Sequence, residues 1–197
     1  MRNLNLFQYL GAFVTIVLAL AVSDLMMSVH RLILARQRVK WHLLPIAAAV
    51  YVFLAVLSEF FSLWVNANVH AVPFLYLVLL VVVSGFAALA AFTVLPDHVP
   101  ESGLDLLAYY LDNRHYLYTT LALGFVGDVA RQVYLSYLTT GHFSVGDPQF
   151  LVYLALTVVT VAMYALLGWS ADRRVHAAGL ALIYGWVLYN FAGWQVA

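Results

Sequence analysis

Leu121-Ala122-Leu123-Gly124-Phe125-Val126-Gly127-Asp128-Val129-Ala130-Arg131-Gln132 sets a carboxylate and a guanidinium three residues apart inside an otherwise apolar run, Tyr116 to Leu138. A run of that length reads as a bilayer-crossing helix, for which about 20 mostly apolar residues suffice. Three-residue spacing puts Asp128 and Arg131 on one helix face, and Thr120, Gly124 and Gln132 share it. Charge at membrane depth is costly, so such side chains turn to a partner, a cavity or a pathway and away from lipid. The bland alternative is an internal ion pair that only holds helices together. Everything else in the chain is read around this helix.

The composition agrees with a membrane setting. Of 197 residues, 65% are hydrophobic and 9% charged, against about 25% charged in soluble domains. A net charge of zero removes the basic footprint of a nucleic-acid binder. The absence of cysteine excludes disulfides, thiolate nucleophiles, cysteine-based zinc sites and iron–sulfur clusters. No linker or low-complexity tract divides the chain, so residues 1–197 are expected to form a single membrane-embedded domain.

Six spans are predicted, giving an all-α polytopic membrane protein. They are Leu6 to about Met27 (with the helix continuing to Arg36), Leu43 to Val65, Val72 to Leu95, Tyr116 to Leu138, Phe150 to Trp169 and Ala177 to about Trp194. Pro96 ends the third, and Asp147-Pro148 caps and opens the fifth. Arg2, the apolar stretch Leu6 to Leu18 and Ala19-Leu20-Ala21 have the outline of a signal peptide. The apolar run continues past Ala21, however, and a retained first span is expected.

Lys and Arg set the orientation. Arg31, Arg36, Arg38 and Lys40 fall in the first loop, and Arg173 and Arg174 in the fifth. Residues 31–41, 97–114 and 170–176 are therefore expected on the cytoplasmic side of a cell (inner) membrane, with both termini outside. The third loop is acidic, with Asp97, Glu101, Asp105 and Asp112 against Arg114. Ser102-Gly103-Leu104-Asp105 there is expected to cap a short interfacial helix through Leu111, with Leu104, Leu107, Ala108 and Leu111 as its apolar edge.

An internal repeat is suggested by weak matches at a nearly constant offset of about 105 residues. Val22-Ser23-Asp24-Leu25 matches Val126-Gly127-Asp128-Val129, Val69-His70-Ala71-Val72 matches Val175-His176-Ala177-Ala178, and Phe86-Ala87 matches Phe191-Ala192. Two three-helix halves, residues 1–96 and 115–197 joined by 97–114, would be inverted relative to one another. Apolar sequence aligns easily by chance, which is the competing explanation.

Four residues are candidates for a pathway or ion-binding site: Asp24, Glu59, Asp128 and Arg131. Glu59 lies about as far beyond Trp41 as Arg131 lies beyond His115. The two should meet at one depth in the outer half of the membrane, and Ala55, Ser62 and Asn66 share the Glu59 face. Asp24 shares a face with Ser28 and Arg31, and the repeat makes it the counterpart of Asp128. Tyr153, Thr157, Thr160 and Tyr164 form one stripe of the fifth helix. Thr157, Thr160 and Tyr164, together with Asn190, are expected to line a pathway or to bond neighbouring helices. Five histidines (His30, His42, His98, His115 and His176) fall on the predicted cytoplasmic side and read as interfacial. No catalytic or metal-ligating pattern is present. Val83-Ser84-Gly85-Phe86 is the nearest approach to a serine nucleophile and has no histidine at its depth. Nothing in the sequence specifies a cofactor.

The sequence therefore points to a small membrane channel or secondary transporter for an ion or small polar solute, assembled in the bilayer as a homo-oligomer. The alternative is a non-transporting scaffold or sensor whose acidic third loop docks a protein partner. A carboxylate face on a cavity favours the first; a dry, closed ion pair with apolar grooves elsewhere favours the second.

Overall fold

The computed structural model describes residues 6–65, 73–141 and 148–192. These form six helices: α1 (Leu6–Leu34), α2 (Leu43–Val65), α3 (Phe74–Val94), α4 (Leu106–Thr140), α5 (Pro148–Trp169) and α6 (Arg173–Ala192). Four contain stretches long and apolar enough to cross a membrane: Leu10–Leu34, Leu43–Leu63, Phe74–Val94 and Phe150–Trp169. The chain thus has the make-up of a multi-pass helical membrane protein. α4 falls below that apolarity for a visible reason: it carries Asp112, Arg114, Asp128 and Arg131.

Consecutive helices pack side by side and alternate in direction. α3 lies against α1, α2 and α4, while α4 also meets α5, and α6 closes on α2 and α5. Two two-residue strands, β1 (Val39–Lys40) and β2 (Leu104–Asp105), pair in parallel with Val39 opposite Leu104. This clasp joins the α1–α2 and α3–α4 connections at one end of the bundle. Gly103 closes it from a positive φ of 93°, and a Cβ there would stand 3.0 Å from the Arg38 carbonyl oxygen. Arg31 Nη1 donates to the Asp97 carbonyl at 2.8 Å, and Tyr109 donates to the Thr93 carbonyl at 3.1 Å. The α5–α6 connection reaches the same end, because His176 bonds Tyr110 and Tyr184 bonds the Ala47 carbonyl. All three connections predicted to share one side of the membrane do lie together.

One expectation needs correction. The separate interfacial helix does not form. Its residues from Leu106 onward are the first turns of α4, which is 35 residues long and runs continuously into the apolar segment. Asp105, the last residue of the expected capping stretch, caps it, accepting from the backbone N–H groups of Leu107 and Ala108 at 3.1 Å each. The polar run from Asp112 to His115 interrupts hydrophobicity but not helix propensity, so hydropathy places the start too late. The packing does not confirm the two inverted halves. α3 packs along α4, whereas α1 against α6, the pairing that pseudo-symmetry would require, is not among the principal packed pairs of the described residues.

The core is made of small and branched side chains between closely approaching helices. Leu18, Ala21, Leu80, Ala90, Leu117 and Leu167 are buried. α4 can approach α3 because of two glycines. A Cβ on Gly127 would sit 2.9 Å from Val83 Cγ2, and one on Gly124 would sit 3.2 Å from Phe86 Cβ. Large apolar side chains such as Ile16, Leu20, Val158, Val159, Leu182 and Leu188 are exposed on the outside of the bundle. A soluble protein would bury them; a bilayer solvates them.

Candidate functional site: a carboxylate-walled cavity

The close contact of α3 with α4 carries the polar face of α4 toward α2. Arg131 is almost wholly buried, 3% exposed, and Glu59 of α2 is 8% exposed. Arg131 Nη2 donates to Asp128 Oδ1 at 2.5 Å and stands 3.6 Å from Glu59 Oε2. The same nitrogen reaches Ser62 Oγ at 3.3 Å, and Nη1 reaches the Tyr76 hydroxyl at 3.2 Å. The guanidinium carbon lies 5.8 Å from the Tyr76 ring centroid. Asp128 Oδ2 accepts from Gln132 Nε2 at 2.6 Å. Both oxygens of Asp128 are therefore held by its own helix, at i+3 and i+4. Glu59 is less well served, since its Oε1 has no hydrogen-bond partner. Two carboxylates share one guanidinium, which leaves a formal charge of −1.

These carboxylates lie on the wall of a cavity of about 490 Å³ enclosed by α2, α3, α4, α5 and α6. Glu59, Asp128, Gln132 and Tyr153 line its end remote from the clasp. Thr120, Thr157 and Thr160 line the middle, and Phe86, Phe125, Met163 and Trp186 add apolar wall. Tyr51 and Tyr164 lie at the clasp end, hydroxyl to hydroxyl, and close the floor. From Tyr153 to Tyr164 is about 16 Å along α5 at 1.5 Å per residue. The Asp128 side chain keeps 25% of its surface exposed, and Gln132 is exposed, so the cavity reaches the molecular surface beside them.

Below the floor lies a second polar cluster. His176, fully buried, accepts at Nδ1 from the Tyr110 hydroxyl at 2.7 Å. Its Nε2 must donate to the Ser170 carbonyl at 2.9 Å, since a carbonyl can only accept. Tyr110 has then spent its proton, and Tyr118 donates to it at 2.6 Å. The Tyr118 ring lies beside the Tyr164 ring, centroids 6.3 Å apart, so aromatic packing continues from His176 to the cavity floor.

Glu59, Asp128 and Arg131 do come together, and Thr157, Thr160 and Tyr164 do line the same cavity. Thr157 and Thr160 bond carbonyls of their own helix, and Tyr164 bonds across to α2. Asp24 does not join them. Among the described residues it forms no ion pair and does not line the cavity, and Arg31 is engaged with Asp97, 4.0 Å away. The side chain of Asn190 lies outside the described residues. His176 is a core residue and not an interfacial one. Tyr76, Tyr51, Tyr110 and Tyr118 were not singled out by the sequence. A tyrosine in an apolar helix reads equally well as belt or core, and only the packing decides. Among the described residues no group of three or more His, Asp or Glu side chains could hold a metal ion.

Comparison with known proteins finds no matching family model, no matching curated protein and no matching solved structure.

Proposed function

We propose that the chain is a secondary transporter for a small solute, with Glu59 and Asp128 as the solute-facing charges and Arg131 holding them in place. The observation that carries this reading is the position of both carboxylates on a cavity that is open beside Asp128 and floored by Tyr51 and Tyr164. A channel calls for a continuous path, whereas a chamber closed at one end suits alternating access. In this proposal all six helices cross a cell membrane with the clasp on the cytoplasmic side, and copies of the chain associate in the bilayer. Asp24 is dropped from the pathway. The inverted arrangement of two halves is not needed by it.

The scaffold alternative draws on one observation. An apolar groove between α1 and α2, lined by Met26, Ile33, Trp41, Ile46, Val50 and Phe53, could seat another membrane helix. Solute flux in proteoliposomes across ion and pH gradients separates the two. Transport predicts flux that falls in Asp128→Asn and Arg131→Ala. Unchanged flux in both removes the proposed site, and no flux for any solute favours the scaffold.

A further inference from the structure

Sequence alone leaves the charge sign of the solute open; the cavity wall does not. Glu59 and Asp128 are the charged side chains on that wall, and Arg131 is not part of it. The guanidinium is instead turned onto Tyr76, Ser62 and Asp128, and is 3% exposed. Among the described residues, a solute in the cavity therefore meets two carboxylates on the wall, with the Arg131 that they share set behind them, a net charge of −1. The two carboxylates differ in access. The Asp128 side chain keeps 25% of its surface exposed, whereas Glu59 is more than nine-tenths buried and adds its charge from behind the accessible surface.

The remaining wall decides what the cation carries with it. Phe86, Phe125, Met163 and Trp186 leave much of the cavity apolar. A volume of about 490 Å³ falls within the range of small-molecule sites, roughly 300–1,000 Å³. Ca²⁺ or Mg²⁺ would want several oxygens converging on one point, and the carboxylates are two. An anion would face the wrong charge.

We propose that this cavity binds a small amphipathic organic cation, an ammonium group on an apolar or aromatic body. The ammonium lies at the accessible Asp128 carboxylate with the Glu59 charge beside it, and the body lies among the aromatic side chains toward Tyr51 and Tyr164. Charge-assisted hydrogen bonds and ring faces are the two contacts that such a molecule uses. This assignment rests on the cavity being the solute site, as proposed above.

The test is calorimetric titration of the full chain in lipid nanodiscs, with empty nanodiscs as blank, at pH 7. Three probes of one shape and different charge are compared: 2-phenylethylammonium, 2-phenylethanol and phenylacetate. The ammonium should bind about tenfold or more tighter than the alcohol, and phenylacetate more weakly still. Glu59→Gln should weaken the ammonium about tenfold and leave the alcohol unchanged. Phenylacetate binding as tightly as the ammonium, or no binding of the ammonium, overturns the proposal. So does an unchanged ammonium affinity in a Glu59→Gln protein that still unfolds cooperatively. If that variant does not fold, the three-probe series on the unaltered chain decides alone. Counterflow in proteoliposomes separates this from the transport reading. Ammonium binding without flux retires transport and keeps the cation site, whereas flux of phenylacetate without ammonium binding does the reverse.

Discussion

Arg131 on α4 stands 3.6 Å from Glu59 on α2, and both side chains are more than nine-tenths buried. That contact ties α2 to α4, with Asp128 completing it from the Arg131 side. A guanidinium can hold two carboxylates at once because its donors point in fixed, different directions. Removing it leaves the buried Glu59 carboxylate, and the partly exposed Asp128 beside it, without their cation. Arg131→Ala should therefore lower stability by about 3–5 kcal/mol. Arg131→Met combined with Glu59→Gln should recover part of the loss. Chemical unfolding in detergent measures both, and an Arg131→Ala protein within about 1 kcal/mol of the original would contradict a structural role for the pair.

The approach of α3 to α4 depends on Gly127, where a Cβ would meet Val83 Cγ2 at 2.9 Å. Gly127→Val should cost about 1–3 kcal/mol through overpacking. Gly185→Ala on α6 has nothing within 4 Å of the new Cβ and should be neutral or stabilise by up to about 1 kcal/mol. Thermal unfolding of the two proteins side by side checks the contrast. Equal effects would mean that the α3–α4 contact is looser than described.

Asp105 caps α4 outside the apolar segment. Its carboxyl is held below the ordinary carboxylate range, chiefly by the backbone N–H of Ala108, then of Leu107, with Lys40 and Arg173 adding favourable charge. A depressed carboxylate stabilises above the unfolded pKa, and that stability disappears as pH falls through the folded value. Melting curves from pH 6 down to pH 2 should show an acid-side loss that is smaller in Asp105→Ala. An identical pH profile in the variant would sink the capping role.

Tyr51 and Tyr164 share one hydrogen bond at the cavity floor, and both are buried. Tyr164→Phe alone strands the Tyr51 hydroxyl, at a cost of about 1–3 kcal/mol. The double variant Tyr51→Phe with Tyr164→Phe removes both partners and should be closer to neutral than either single change. A double-mutant cycle reads the coupling directly. Additive single effects would show that the two hydroxyls do not depend on each other.

Much of this arrangement can be read from residue spacing. Leu43 to Val65 is predicted and observed as one helix, because both ends of its apolar run are sharp. The Glu59–Arg131 contact follows from counting depth along two helices that run the same way. Helix α4 is longer than predicted because hydropathy detects the membrane and not the helix. The polar turns containing Asp112 and Arg114 extend it beyond the apolar layer. Tyr76 and His176 were legible only as polar tips in apolar or boundary sequence. Which of their faces turns inward depends on the crossing of α3 on α4 and of α6 on α2, which no local spacing encodes. Asp24 resembles Asp128 in sequence, but only Asp128 has an arginine beside it that no other carboxylate has claimed for itself alone.

The central claim is that the cavity is wet and presents negative charge, and the chain's lack of cysteine makes it directly testable. Thr157 lines the cavity, whereas its neighbour Val158 is 62% exposed on the apolar outside. Thr157→Cys and Val158→Cys, each reconstituted in liposomes, can be reacted with a trimethylammonium-bearing and a sulfonate-bearing methanethiosulfonate of similar size. The predicted result is modification of Thr157→Cys that is about tenfold or more faster with the cationic reagent, as a carboxylate-lined cleft concentrates cations, and negligible modification of Val158→Cys by either. A folded Thr157→Cys protein that reacts with neither reagent, or faster with the sulfonate, would contradict it.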